Sequence, residues 1–183
     1  MKEAGKIISL TVAVFLVCGV GGAWAQSAAE LYREGVRSAR AGQPDFAFAS
    51  FNLLLAQEDD SAYRDKALFA CGEYYYELPS YQDAWRMFTA YVNEFPAGRE
   101  MPFALAYLFR LANEHARAGD LSDLRRQVIG DIQSRAEANE LRDFKEFKEL
   151  RLRSPMNREY RARYYVDRIE IIRQDERWEV ITW

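Results

Sequence analysis

The sequence predicts a mainly α-helical protein, an α-solenoid of about three helical hairpins followed by a small antiparallel β extension. Three observations predict it. Apolar residues recur at helical spacing over Asp65–Pro96, small and aromatic residues repeat 37 residues apart, and the pattern shifts toward alternation from Glu149 onward. A chain of 183 residues has room for a short stack of hairpins and an appendage.

The stretch Asp65–Pro96 has the clearest helical pattern. Apolar residues at spacings of three and four predict a helix over Lys66–Leu78, which a proline ends. Ser80 followed by Asp83 is typical of a capped helix start, and the apolar stripe that begins at Tyr81 predicts a second helix. The tight turn between the two helices requires them to pack antiparallel.

Five residues of this hairpin have a small, aromatic, small, aromatic and proline pattern: Gly72, Tyr75, Ala84, Phe88 and Pro96. The two small residues allow the helix backbones to approach each other where they cross. In residue types and spacing the stretch resembles the tetratricopeptide repeat (TPR). It is also similar to the bacterial periplasmic branch of that family, the Tol-Pal-associated and outer-membrane-assembly TPR proteins. The resemblance implies a scaffold that binds other proteins.

A single hairpin cannot bury its own apolar face, so neighbouring copies are expected. Gly35, Ala47 and Phe51 precede Gly72, Ala84 and Phe88 by 37 residues. This coincidence predicts a first hairpin, made of helices Leu31–Ala41 and Asp45–Ala56 around a turn at Gly42 and Pro44.

A third hairpin is predicted downstream, with helices Phe103–Ala118 and Leu121–Arg135 around Gly119-Asp120. Ala112 and Leu124 occupy its small-residue positions. Leucine is large for such a position, so this copy is expected to be degenerate, as terminal repeats often are. The resemblance to the repeat covers roughly Ala28–Arg135.

Residues 1–25 are expected to be a cleaved signal peptide. Lys2 and Lys6 precede the apolar run Ile7–Val17, which is short for a membrane span. Ala23-Trp24-Ala25 places small residues where a signal peptidase cleaves, so the mature chain is expected to begin near Gln26. The expected location is the bacterial periplasm, with association to the outer membrane as an option. An uncleaved membrane anchor is the alternative.

The two cysteines determine whether the chain could carry a lipid anchor and whether it could form a disulfide. Relatives in the periplasmic branch include lipoproteins, but the residues before Cys18 depart from the lipobox pattern. Membrane contact is therefore expected to be indirect unless Cys18 is lipidated. Without Cys18 the remaining Cys71 has no intramolecular disulfide partner, and its place on an apolar helix face predicts a buried, inert thiol.

Residues 139–183 are predicted to form a helix and a small antiparallel β-meander packed on the last helices. Alternation begins near Glu149, and Ser154-Pro155-Met156-Asn157 predicts a turn. Within Tyr160–Ile172 the apolar face changes phase, which indicates either a bulge near Val166–Arg168 or two strands run together. A turn at Gln174-Asp175-Glu176 is expected to lead into a last strand over Arg177–Trp183.

The sequence favours binding over catalysis. His115 is the only histidine, and it matches the packing position of Tyr75 in the repeat. The acidic run Glu58-Asp59-Asp60 lies at an expected turn, where solvated carboxylates are ordinary. We find no phosphate-binding loop and no paired-cysteine motif, so neither an enzyme activity nor a cofactor or metal is expected. The formal charge of −3 gives no field that would recruit nucleic acid.

The TPR resemblance implies a concave groove lined by the first helix of each pair. Its fifth, ninth and thirteenth positions commonly touch the ligand, which makes these the candidate partner-binding residues: Tyr32, Val36 and Arg40; Phe69, Glu73 and Glu77; Phe109, Asn113 and Arg117. The aromatic fifth positions suit an extended or helical peptide ligand from a partner protein. The alternative is that these rings belong to the core between repeats.

Two other functions remain open. An arginine-rich face could bind anionic cell-wall peptides or lipid headgroups, through Arg151, Arg153, Arg161 and Arg163. Surface arginines also pair with nearby acids, which would leave no ligand site. Alternatively, the chain is a structural subunit of an envelope complex that docks through its carboxy-terminal strands.

The domain division is residues 1–25, 26–138 and 139–183, and the leading function is a non-catalytic scaffold in cell-envelope assembly or maintenance.

Overall fold

A computed structural model describes residues 26–57, 62–115, 126, 129–130, 148–165 and 167–182. This part of the chain is mostly helical and ends in an antiparallel sheet, which confirms the predicted order of helices followed by strands. The helices are α1 (Ala28–Arg40), α2 (Pro44–Leu55), α3 (Arg64–Glu77), α4 (Tyr81–Glu94) and α5 (Met101–His115). The strands are β1 (Lys148–Arg153), β2 (Glu159–Tyr164), β3 (Arg168–Arg173) and β4 (Glu176–Thr182).

Several predictions concern residues outside these ranges. The expected signal peptide is one of them, and the predicted helix near Phe144 is another. Of the second helix of the third hairpin, residues 126, 129 and 130 are described, and all three are helical.

Helix starts follow local side-chain chemistry in one case and not in another. α1 begins with a capping box, in which Glu30 N donates to Ser27 Oγ and Ser27 N donates to Glu30 Oε2 over 2.9 Å. α4 begins at Tyr81 and Ser80 is its N-cap residue, as predicted. The Ser80 side chain makes no capping hydrogen bond, because its hydroxyl donates to the Asp83 carboxylate over 2.7 Å and accepts no backbone N–H.

The 37-residue spacing corresponds to one packing contact that occurs in both helix pairs. A Cβ placed on Gly35 would lie 2.6 Å from the Phe51 ring, and one on Gly72 would lie 2.7 Å from the Phe88 ring. In each pair the aromatic ring of the second helix therefore lies directly against a glycine of the first. Ala47 and Ala84, the other small residues of the two pairs, are fully buried.

The four strands form one antiparallel sheet in the order β1-β2-β3-β4. The predicted turn over Ser154–Asn157 joins β1 and β2, and the Asn157 N–H donates to Ser154 O. Of the two alternatives for Tyr160–Ile172, two strands is confirmed: β2 and β3 both lie in this stretch, and Tyr165 N donates to Arg168 O between them. The break between the two strands explains the phase change in the sequence.

A bulge does occur, but in β4. Ile171 pairs with Glu179 and Ile172 pairs with Arg177, so Trp178 is the extra residue on that strand. The Trp178 ring lies over the helices, 4.5 Å from the ring of Tyr107 on α5. The bulge thus directs a large aromatic residue into the contact between sheet and helices.

The sheet and the last helices share one hydrophobic core. Side chains from α3, α4 and α5 pack with the inner face of the sheet, which is formed by Leu152, Tyr160, Ala162, Tyr164, Ile169, Ile171 and Ile181. α5 contacts β2, β3 and β4. A smaller cluster joins α1, α2 and α3, and Met156 from the β1–β2 turn belongs to it. The prediction that the extension packs on the last helices is confirmed.

Candidate functional site

A polar cluster that is buried at Glu73, Tyr107 and Tyr160 lies where the sheet meets α3 and α5. We call it the interface cluster: Glu73, Glu77, Tyr107, Arg158, Tyr160 and Arg173. The Tyr160 hydroxyl donates to Glu73 Oε1 over 2.5 Å, and the Tyr107 and Tyr160 hydroxyls share a hydrogen bond of 2.7 Å. Helix α3 therefore connects to strand β2 through a carboxylate, and α5 connects through a phenol pair.

The positive charges of two arginines lie close to the two glutamates of α3. Arg158 is in the β1–β2 turn, and Arg173 is the last residue of β3. Arg158 Nη1 lies 3.6 Å from Glu73 Oε1, and Arg158 Nη2 lies 3.7 Å from Glu77 Oε1. Arg173 forms a direct ion pair with Glu77, and its guanidinium lies 5.6 Å from the Trp178 ring centroid. The arginine–glutamate contacts join residues more than 80 positions apart and hold the sheet against α3.

Burial governs the acid–base behaviour of the cluster. It raises the pKa of the Glu73 carboxyl, although Arg158 and the Tyr160 hydroxyl act in the opposite direction. The pKa of Tyr160 is well above its ordinary value, because of burial first and then the nearby Glu73. The pKa of Tyr107 is raised for the same reasons. Both phenols therefore stay protonated at neutral pH and act as hydrogen-bond donors.

Two of the residues that the sequence assigned to a partner-binding groove, Glu73 and Glu77, belong to the interface cluster, and a third, Phe69, lies beside it. Phe69 and Glu73 are both 0% exposed. The Phe69 ring contacts Tyr160 at 6.0 Å between ring centroids, and Glu73 bonds to the same tyrosine. The protein's own sheet thus covers the fifth and ninth positions of α3. Glu77, at the thirteenth position, is exposed and paired with Arg173.

The fifth position of the third helix pair is buried too. Phe109 lies in the core that the last helices share with the sheet, whereas Asn113 is exposed. Arg117 and the side chain of His115 lie outside the described residues. The sheet therefore covers the predicted ligand face of α3, whereas its contacts with α5 include Phe103, Tyr107 and Arg110, which are not predicted ligand positions.

The first helix pair leaves its predicted positions partly accessible. Tyr32 and Val36 are half-buried and pack against the smaller hydrophobic cluster, and Arg40 is exposed. The Tyr32 ring stacks on Tyr63 with 4.6 Å between centroids. These side chains follow the i, i+4, i+8 spacing, so they share one face of α1. We call this face the α1 surface.

The β1–β2 turn contributes Met156 to the core between the first and second helix pairs. Met156 is buried in one cluster with Leu31, Ala67 and Cys71. Burial raises the pKa of the Cys71 thiol to about 12, which confirms the prediction of a buried thiol and keeps it in the unreactive protonated form. The Met156 contact had no counterpart in the sequence analysis, because nothing in a turn sequence indicates where its tip packs.

The candidate anion-binding arginines of the strands are paired with nearby acids. Glu149 pairs with Arg151 over 2.6 Å and with Arg163 over 2.9 Å. Arg161 pairs with Asp175 over 2.6 Å, and Arg153 pairs with Glu159. The four candidate anion-binding arginines are thus all in ion pairs with acids of the same sheet.

A shallow depression of about 370 Å³ lies beside these arginines. Its lining includes Arg151, Arg153 and Arg161, together with Glu159, Asp175 and Ile172. The mixed charge gives this depression little preference for an anion over a cation.

Within the described residues, no group of three or more histidine, cysteine, aspartate or glutamate side chains is placed to hold a metal ion. None of the helices in the described ranges is both long enough and apolar enough to cross a membrane. The acidic run at residues 58–60 lies outside these ranges.

Comparison with known proteins found no matching family model, no matching curated protein and no matching solved structure.

Proposed function

We propose that the protein is a non-catalytic, TPR-like scaffold that binds a protein partner in the bacterial cell envelope. The observation that supports this most is the repeated contact of a glycine with a phenylalanine ring, at Gly35–Phe51 and again at Gly72–Phe88. Two helix pairs with the same packing contact and the same 37-residue spacing are what a helical-repeat protein requires. Such proteins act by presenting extended surfaces to partners.

The proposal assigns partner recognition to the α1 surface. The sheet covers Phe69 and Glu73 at the equivalent positions of α3, and Phe109 of α5 is buried in the same core. Tyr32 offers an aromatic ring already held by stacking on Tyr63, so little side-chain entropy is lost when a partner covers it. Arg40 offers a charge at the end of the same face, where it would set the register of a peptide.

The location is part of the proposal. Residues 1–25 have the charged, apolar and small-residue pattern of a signal peptide, so export to the periplasm is expected. Mass spectrometry of the protein recovered from a periplasmic extract tests this. A mature chain that begins near Gln26 supports export, and an intact amino terminus in the cytoplasm contradicts it.

Partner binding is tested by crosslinking and affinity capture from an envelope fraction. Val36→Glu and Arg40→Glu change the α1 surface, and Glu34→Arg is the control because Glu34 lies on the opposite side of the same helix with its side chain 43% exposed. The proposal predicts a partner that is lost with Val36→Glu and Arg40→Glu and retained with Glu34→Arg. Equal capture by all three variants would contradict it. Circular dichroism of each variant establishes that the helices remain folded.

A further inference from the structure

Two buried polar atoms lie unpartnered where α3 meets the β1–β2 turn. Glu73 Oε2 and Arg158 Nη1 make no hydrogen bond with any of the residues that the structure describes. The Glu73 side chain is 0% exposed, and the Arg158 side chain is 16% exposed. Native proteins rarely leave such atoms without a partner, because an unmade hydrogen bond in a protein interior costs stability. The two atoms therefore indicate a ligand at this contact.

The contacts of Arg158 with both glutamates of α3 are too long for hydrogen bonds. Its Nη1 lies 3.6 Å from Glu73 Oε1, and its Nη2 lies 3.7 Å from Glu77 Oε1. A direct N–H···O bond joins atoms about 2.7–3.2 Å apart, and a polar contact beyond about 3.5 Å is where a water bridges two groups. The Tyr160 hydroxyl already donates to Glu73 Oε1 over 2.5 Å, so Oε2 is the carboxylate oxygen that needs a donor.

The Ser154 side chain is the third polar group at this contact. It is 4% exposed, and its hydroxyl oxygen accepts a hydrogen bond from the Arg158 backbone N–H over 3.2 Å. The same hydroxyl lies near enough to the Glu73 carboxyl to lower its pKa, against the larger effect of burial. The three side chains thus supply an acceptor at Glu73, a donor at Arg158 and a hydroxyl that can act as either.

The balance of charge at this contact favours a neutral ligand. Glu73 and Glu77 face Arg158 and Arg173, so an added ion would bring a charge without a counter-charge into a buried site. A water molecule is neutral, and buried waters typically make about three hydrogen bonds. Burial raises the pKa of Glu73, and a water satisfies Oε2 in either protonation state, because it donates to a carboxylate and accepts from a carboxyl.

We propose that the interface cluster binds an ordered water molecule, which accepts a hydrogen bond from Arg158 Nη1, donates one to Glu73 Oε2 and shares one with the Ser154 hydroxyl. The water joins α3 to the β1–β2 turn through contacts that the protein atoms do not make directly. It is independent of the partner proposed for the α1 surface. Because its protein partners are buried, it exchanges with the solvent only when the turn and α3 separate locally.

The first test is a crystal structure of the protein recovered from expression of the full chain, at a resolution that shows ordered waters. The proposal predicts an electron-density peak about 2.7–3.2 Å from both Glu73 Oε2 and Arg158 Nη1. A structure in which Glu73 Oε2 bonds directly to Arg158 or Ser154, without such a peak, overturns the proposal.

The second test is magnetic relaxation dispersion of the oxygen-17 nucleus, which counts long-lived internal waters in solution. Glu73→Met with Arg158→Met replaces both polar side chains by apolar ones, an exchange that buried ion pairs often tolerate. The control is Tyr107→Phe, which alters the interface cluster and keeps both atoms. The proposal predicts roughly one water fewer in the double variant and no change in the control.

An unchanged count in a double variant that circular dichroism shows to be folded overturns the proposal, since the two side chains would then hold no water. If the double variant does not fold, the crystal structure decides alone.

Discussion

The Tyr160 hydroxyl on β2 donates a hydrogen bond of 2.5 Å to the Glu73 carboxylate on α3, and both residues are buried. This contact joins two parts of the chain that the sequence analysis treated as separate units. It also explains why a glutamate lies in the middle of α3, where every residue from Ala67 to Glu73 is buried. The carboxylate belongs to an internal contact, and a partner cannot reach it while the sheet is in place.

Removing the Tyr160 hydroxyl is expected to destabilise the protein. Tyr160→Phe leaves the buried Glu73 without its closest donor, and hydrogen bonds to charged groups contribute about 1.5–3 kcal/mol. Urea denaturation of Tyr160→Phe, Glu73→Gln and the double variant gives the coupling between the two residues. We expect the two single effects to be clearly non-additive. Additive effects would show that the contact contributes nothing.

Glu73 is expected to make stability fall as pH rises. Its folded pKa is raised above the ordinary 4.5, so the folded state retains a proton that the unfolded state releases. Below that ordinary value both states are protonated and Glu73 has no effect. Above it, ionisation favours unfolding until the folded pKa is passed. The free energy of unfolding of the natural chain should therefore decline relative to Glu73→Gln as the pH rises above about 4.5. A rising difference would contradict the pKa direction.

Adding a methyl group at Gly35 or at Gly72 is expected to destabilise the protein to a similar extent. Gly35→Ala and Gly72→Ala place a Cβ within 2.6 and 2.7 Å of a phenylalanine ring, and overpacking of this kind typically costs about 1–3 kcal/mol. Gly130 is the control, because it is helical and a Cβ there meets nothing within 4 Å. Gly130→Ala should be neutral or stabilise by up to about 1 kcal/mol. Thermal unfolding of the three variants checks this, and equal melting temperatures would refute the shared contact.

Replacing the two residues of the β3–β4 turn is expected to stabilise the protein. Gln174 and Asp175 have φ values of 49° and 67°, in the left-handed region that a two-residue hairpin of this hand requires. Asn at the first position and Gly at the second suit these angles better, by about 1 kcal/mol in total. Gln174→Asn with Asp175→Gly should raise the melting temperature despite losing the exposed Asp175–Arg161 ion pair. A lower melting temperature would show that the ion pair outweighs the turn.

The local features of the fold could be predicted from the sequence. Helical spacing located α1 to α5 to within a few residues, because amphipathic stripes report which face is buried. The glycine–phenylalanine coincidence at 37 residues identified a contact that both pairs contain. In the carboxy-terminal part, the turn over Ser154–Asn157 was recognisable from its residues alone.

The position of the sheet could not be predicted in the same way. Its inner face meets α3 and α5 through contacts such as Tyr160–Glu73, which join residues 87 apart, and no local pattern encodes such a pairing. One feature of the sequence does indicate that α3 is covered on every side. α3 is apolar on all sides over Ala67–Gly72, which is typical of a helix that is enclosed on every side and has no face left for a ligand.

Native-state hydrogen exchange is the most direct test of whether α3 and the sheet form one core. The amides of Leu68–Glu73 on α3 and of Tyr160–Tyr164 on β2 should open with the same free energy, equal to that of global unfolding. If β2 opened at a much lower free energy while α3 stayed protected, the sheet would be a detachable layer over an open groove, contrary to the single core described above.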